Sequence, residues 1–238
     1  MRVTGRLAGA FAAAAVACSL LSGCGDDSDS ASTATTTAAG ATTTAAKATS
    51  TRKMAPKTTT EAPSGPNYTI ADYIQEARLE ETPIQPGTPN APTIDLPFPP
   101  GWENAGQDTP DWAYGAIVYT GPEAATYTPS FIALLSKLEG NVDAQKLIDS
   151  AGGELRNLPG FKPLTEGKVT TLSGFPAYQL GGTFTKDGGT YLVAQKTTVI
   201  PGRDGMYILQ INADGTEDQF DIIGAATQVI DDQTKITP

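Results

Sequence analysis

The 238-residue chain has no histidine and only two cysteines. Without imidazole, Ser-His-Asp and Cys-His catalysis are excluded, together with the commonest general base and most zinc sites. The sequences GxSxG, GxxxxGKS/T and GxGxxG are also missing, so no nucleophile elbow, P-loop or dinucleotide fingerprint is present. Positive charge is scarce: 16 Lys and Arg stand against 26 Asp and Glu, and beyond residue 66 ten bases face 22 acids, a net of −12. A chain without a basic patch cannot displace phosphate counterions, which excludes nucleic acid as a partner. Long apolar runs are lacking too, apart from Leu7 to Leu21 near the start.

That run follows Arg2 and Arg6, the pattern of an export signal. At about 15 residues it is shorter than the roughly 20 needed to span about 30 Å of hydrocarbon. It ends in Leu21-Ser22-Gly23-Cys24, which is similar to the lipobox of bacterial lipoproteins, where the signal peptide, residues 1–23, is removed just before the cysteine. The Cys24 thiol is then expected to carry a diacylglyceryl thioether with fatty-acyl chains such as palmitate; the alternative is an ordinary secretory signal with an incidental cysteine. Each buried methylene contributes about 0.8 kcal/mol and two chains suffice for stable anchoring, so lipidation alone would hold the protein on the outer face of the plasma membrane. Cys18 leaves with the signal, and the mature chain then has neither a disulfide nor a cysteine metal site.

Residues 24–66 form the next block, and Gly25 to Pro66 is dominated by Thr, Ala and Ser with almost no large apolar side chains. Such a segment cannot bury enough surface to offset its ordering entropy, so it is expected to be a disordered tether. Its Ser/Thr content with Pro also resembles O-glycosylated stalks. A flexible chain of this length reaches about 36 Å on average.

Residues 67–238 are long enough for one domain with a substantial core. Thr69 and Asp72 predict a capped amphipathic helix in TIADYIQEAR. A proline-rich stretch follows, with room for only an edge strand around Thr93 to Leu96. WAYGAIVYT (112–120) and PSFIALLSKLE (129–139) read as buried strands. Asp143 caps a predicted helix with Leu147, Ile148, Ala151 and Leu155 on one face. Beyond it, strands alternate with turns, and Asp187-Gly188 and Asp204-Gly205 both carry the type I′ hairpin signal. Thr216 and Gln219 open the last helix, whose stripe of Phe220, Ile223, Thr227 and Ile230 is expected to face a sheet. The fold class is α+β, an antiparallel sheet packed against helices.

Candidate functional residues are few. Trp102, Trp112, Tyr114, Tyr119 and Tyr127 cluster in sequence around Pro- and Gly-rich loops, and aromatic-lined clefts hold apolar chains and sugar rings. Trp102, Trp112 and Tyr114 are the candidate binding residues, within a cleft expected between Pro97 and Leu135; the alternative is that they fill the core. Asp108, Asp111 and Glu123 offer carboxylates for hydrolysis, but nothing in the sequence fixes their separation. The acids from Asp214 to Asp221 fail the EF-hand spacing and suit a helix N-terminus. No catalytic residue, cofactor or metal is expected, and carboxylate-only catalysis is the runner-up class.

The lipobox, the Thr/Ala tether, and the segments YTIADYI, DLPFPPGW, WAYGAIVY and NVDAQKLIDSAGGELRNLPGF together resemble the LpqN/LpqT family of mycobacterial lipoproteins. The resemblance spans nearly all of residues 67–238. It implies a PsbP-like fold, an antiparallel sheet between helices, and a non-catalytic role in the cell envelope. It also implies handling of envelope glycolipid of the trehalose mycolate type or, alternatively, interaction with a protein, including host proteins in pathogens. It assigns no residue other than Cys24.

Overall fold

The structure is a computed structural model that describes residues 65–238. The expected signal peptide (1–23), the expected lipid anchor at Cys24 and all but the last two residues of the expected tether (24–66) lie outside the described residues. In chain order the elements are α1 (Ile70–Ala77), β1 (Glu80–Pro83), β2 (Thr93–Asp95), β3 (Trp102–Asn104), β4 (Gly115–Tyr119), β5 (Ser130–Glu139), α2 (Ala144–Ser150) and α3 (Gly153–Arg156). They continue with β6 (Lys162–Pro163), β7 (Lys168–Leu172), β8 (Phe175–Lys186), β9 (Gly189–Pro201), β10 (Met206–Thr216), α4 (Phe220–Gln233) and β11 (Lys235–Thr237).

Nine strands form one antiparallel sheet in the order β3-β4-β5-β10-β9-β8-β6, with β1 beside the far end of β5 and β7 beside β8. Long strands β8, β9 and β10 carry its centre. Asp187 and Gly188 stand at φ 50° and 78°, the two positive values a type I′ turn needs, and join β8 to β9 in register. Ser173 and Gly174, at φ 51° and 83°, use the same device between β7 and β8. Asp204-Gly205 does not: neither residue has positive φ, and the β9–β10 connection is a wider loop closed by Gly202 N–H to Gly205 O at 2.9 Å. Asp204 is held there as an acceptor, from the Tyr207 hydroxyl at 2.9 Å and the Lys137 ammonium at 3.0 Å. The proline-bounded edge strand β2 pairs with the C-terminal β11 in a separate two-stranded ribbon.

Strand alternation gives the large sheet two apolar faces. On one, Leu135, Leu209, Ile211, Ile200 and Leu192 meet Ile223, Ala226 and Ile230 of α4. On the other, Leu138, Ile208 and Val199 meet Tyr73 of α1 and Leu147 and Ile148 of α2. Both capping boxes read from the sequence are present, Thr69 with Asp72 and Thr216 with Gln219. The helix expected after Asp143 is broken into α2 and α3 around Ala151-Gly152. The break lets α3 approach the segment just before α1: a Cβ on Gly153 would lie 2.0 Å from the Tyr68 carbonyl oxygen, which only glycine permits. Phe220, the first residue of α4, departs from the expected stripe and is half exposed.

Candidate functional site

The sequence MYILQINADGT of β10 alternates, so Tyr207, Leu209, Ile211 and Ala213 point at α4 while Ile208, Gln210, Asn212 and Asp214 point the other way. Register then sets Gln210 beside Thr197, Asn212 beside Gln195 and Asp214 beside Val193 of β9. The result is a polar stripe on the two central strands, on the face that α1 and α2 cover only in part. Leu134, Ser136 and Gln210 on that stretch are only half buried.

The stripe is knit together by its amides. Gln195 Nε2 donates to Asn212 Oδ1 at 2.9 Å and to Glu154 Oε2 at 3.1 Å, and Gln210 Nε2 approaches the same carboxylate oxygen at 3.5 Å. Glu154 reaches it from α3, whose position is fixed by Asn67, just before α1. Asn157 accepts from the Asn67 backbone N–H and side-chain amide at 3.0 and 2.9 Å and donates to the Asn67 carbonyl at 2.8 Å. Gln195 and Asn212 are 4% and 7% exposed, yet Asn212 Nδ2 and Thr197 Oγ1 have no hydrogen-bond partner. Buried polar atoms left this way carry an unrelieved desolvation penalty of about 1–3 kcal/mol each.

An aromatic group borders the stripe. Tyr127 and Tyr191 have ring centroids 5.5 Å apart, and Tyr191 and Phe184 6.0 Å apart. The Tyr127 hydroxyl donates to Asp214 Oδ1, and burial, reinforced by the Asp214 charge, pushes its pKa well above the ordinary tyrosine value. Gln219 holds the loop that carries Tyr127: its Nε2 donates to the carbonyls of Glu123 and Tyr127, both at 2.8 Å, while its Oε1 accepts the Thr216 N–H at 3.0 Å. The helix cap therefore also positions the aromatic rim. Side-chain amides present donors and acceptors together, and with flat apolar rings beside them the arrangement suits a neutral, hydroxyl-rich ligand.

The aromatic residues singled out in the sequence do not form one site: Trp102, Tyr114 and Tyr119 join the α4-side core, and Trp112 lies on the other face. Trp102 is 5% exposed and lies in the α4-side core, edge-on to Phe131 with centroids 4.9 Å apart and tilted against Tyr119 at 5.6 Å. Tyr114 packs on the same core, and its hydroxyl accepts the Ile94 N–H at 3.2 Å. Trp112 is on the opposite face, half buried with Leu134 against Ala113, Ala116 and Ile132, which places it on the side of the polar stripe. Asp108, Asp111 and Glu123 are all exposed, and Glu123 accepts the Tyr119 hydroxyl at 2.9 Å. Among the described residues no group of three or more His, Cys, Asp or Glu is arranged to hold a metal ion. The stripe's own residues left only a weak trace in the sequence, the alternation of Gln210, Asn212 and Asp214, which reads equally as a solvated face.

Fold and stripe together define the class: an α+β domain built on an antiparallel sheet with helices on both faces and a polar patch on one of them. The sequence profile described as "Probable lipoprotein LpqN" matches residues 66–237, and the chain belongs to that family. It is 47% identical to lipoprotein LpqN of Mycobacterium tuberculosis over 175 residues, 74% of this chain and 76% of the relative. The crystal structure of LpqN from that organism, a protein involved in cell envelope biogenesis, superposes with a TM-score of 0.69 at 48% identity, covering 73% of this chain and all of the crystallised one. The α+β architecture expected from the sequence is the architecture of that relative. A PsbP protein from Synechocystis shows 10% identity and a TM-score of 0.37 over 67% of this chain and 92% of its own.

Proposed function

We propose that the protein is a cell-envelope lipoprotein, anchored through Cys24 to the outer face of the plasma membrane, whose domain from residue 67 onward is a non-catalytic binding module for an envelope glycolipid of the trehalose mycolate type. The observation that carries this reading is the amide stripe. Gln195, Gln210 and Asn212 gather around Glu154 on a half-open sheet face, with Tyr127, Tyr191 and Phe184 at its border. Unpartnered Asn212 Nδ2 and Thr197 Oγ1 lie in the same stripe, and a small rearrangement of their side chains would offer them to sugar hydroxyls. The Glu154 carboxylate at the centre of the stripe disfavours a phosphate and favours a neutral headgroup. The involvement of the M. tuberculosis relative in cell envelope biogenesis fits the same role.

The test is titration of the full chain carrying Cys24→Ser with a decanoyl ester of trehalose, followed through Trp112, the half-buried tryptophan on the stripe's side. Saturable quenching or enhancement, lost in Trp112→Phe and weakened at least tenfold in Gln195→Leu, is the expected result. Binding that survives Gln195→Leu unchanged would overturn the assignment to the stripe. Failure to bind, with salt-sensitive capture of a protein instead, would establish the adaptor role, and turnover of the ester abolished by replacing Asp108, Asp111 or Glu123 would make the domain a hydrolase.

A further inference from the structure

A second concavity lies on the other face of the sheet. Between the first two turns of α4, strands β8 and β9 and the segment from Leu164 to Lys168 is a hollow of about 240 Å³. Leu192, Ala194 and Ile223 line it, and the half-exposed Leu164 (49%) and Phe220 (50%) border it. Two of the five large apolar side chains exposed on the described domain thus border one hollow. Gly224 forms part of its wall. Glycine in a helix interior is destabilising relative to alanine, yet a Cβ here would meet nothing within 4 Å, so the helix keeps open space where a side chain would fit. Lys168 is the one charged residue of the lining, and it has no ion-pair partner among the described residues. Glu166, two residues earlier, is exposed and outside the lining.

We infer that this hollow is a binding site for a single acyl chain ending in a carboxylate, a long-chain fatty acid, with the chain between Leu164 and Phe220 and the head at Lys168. The volume is below the roughly 300–1,000 Å³ of drug-sized sites and fits part of one chain rather than two. A mostly apolar lining, with Thr165, Gln179 and Thr227 among its walls, supplies the affinity, and the single cation of that lining supplies the preference for an anionic head. The domain's overall negative field does not cancel that preference, because at physiological salt charges beyond about 8 Å are largely screened. This site is separate from the amide stripe, since Ala194 and Leu192 point to the α4 face while Gln195 points to the other.

Calorimetric titration of the full chain carrying Cys24→Ser with dodecanoate and with 1-dodecanol separates the head from the chain. Dodecanoate is expected to bind up to about fivefold more tightly at low salt, the range of an exposed ion pair. Lys168→Met should remove that preference and leave the alcohol unchanged. Gly224→Phe should weaken both probes at least tenfold, while Gly224→Ala, with open space for its methyl group, controls for folding of the helix and should bind both. Gln195→Leu should affect neither. Equal affinity for acid and alcohol, a preference that survives Lys168→Met, indifference to Gly224→Phe, or no binding of either probe would overturn the inference. Loss of both probes in Gln195→Leu would move the acyl chain to the stripe, leaving the glycolipid reading standing and this one refuted.

Discussion

The two faces of the sheet are built to different rules. Toward α4 the inward residues of β5, β9 and β10 are mostly apolar, and Leu135, Ile200, Tyr207 and Leu209 are 0–2% exposed. Two lysines stand there: Lys196, 6% exposed and matched by Asp231 from the helix itself, and Lys137, opposite Tyr207 near the end of β5 and paired with Glu139 and Asp204. Toward α1 and α2 the apolar residues form two separate patches, one around Leu138, Leu147 and Ile208 and one around Ala116, Val118 and Ile132. Between them lie amides and a carboxylate, two of whose neighbouring polar atoms are unsatisfied. A continuous apolar face maximises burial, whereas a face interrupted by half-paired polar groups gives up stability where it stands open. Unpartnered polar atoms occur on both faces, Thr198 Oγ1 and Gln179 Oε1 standing on the α4 side, so the difference is one of continuity: only the second face breaks its apolar surface with a network of amides around Glu154.

Substitutions at a filled apolar position of the first face and at an unpartnered hydroxyl of the second should have opposite outcomes. Leu209→Ala, at a side chain with 0% exposure in the α4-side core, is expected to cost about 3 kcal/mol in urea unfolding. Thr197→Val, which removes an unpartnered hydroxyl on the other face at nearly constant shape, should change stability by less than about 1 kcal/mol and in the stabilising direction. A loss at Thr197 as large as that at Leu209 would erase the distinction between the faces.

The Lys196–Asp231 pair sharpens the comparison at the next level of magnitude. Asp231→Ala leaves a buried ammonium without its carboxylate and is expected to cost about 2 kcal/mol, below the usual 3–5 because Asp231 keeps 27% of its side-chain surface in water. Lys196→Met replaces the charge by an apolar side chain of similar length inside an apolar face and should cost less than Asp231→Ala in the same urea titration. If Lys196→Met is the more damaging of the two, the pair stabilises the α4 face directly rather than neutralising a charge placed there.

Local signals were readable wherever a few adjacent residues decide the conformation. Thr69 with Asp72, Thr216 with Gln219, and Asp187-Gly188 all act where the sequence places them, because caps and I′ turns are settled within four residues. Asp204-Gly205 misled because Lys137, 67 residues away on β5, takes up the Asp204 carboxylate together with the nearby Tyr207 hydroxyl in a wider loop. The helix after Asp143 reads as continuous, since nothing nearby reveals that Gly153 must admit the Tyr68 carbonyl. Trp102 and Trp112 are ten residues apart yet fall on opposite faces, and only the pairing of β3 with β4 and of β4 with β5 decides which. The amide stripe was hidden for the same reason. Gln195, Asn212 and Glu154 lie 17 and 41 residues apart in sequence, and cross-strand register, with a short helix pinned by Asn67, is what gathers them.

The smallest effect concerns pH, and it distinguishes the rim of the stripe from its surroundings. Tyr127 keeps its proton more tightly in the folded protein than in the unfolded chain, because burial and the Asp214 charge both disfavour the phenolate. A group with a raised folded pKa contributes stability that is fully present below its unfolded value, about 10 for tyrosine, and lost as pH rises beyond it. Stability measured by thermal unfolding should thus decline from about pH 10 upward, and Tyr127→Phe should flatten that decline while removing the hydrogen bond to Asp214 at neutral pH. Tyr207, on the opposite face, is also shifted upward, by burial first and then by its bond to Asp204, so some alkaline slope will persist in the variant. At the acid end the sign reverses. Asp72, whose pKa is lowered by the Thr69 hydroxyl and backbone N–H, contributes stability above the unfolded carboxylate value near about 4 and loses it as pH falls further. Tyr127→Phe should leave this acid limb untouched. A variant that shifts both limbs equally would mean that Tyr127 acts through global stability and not through its own proton, and the rim would then be ordinary core.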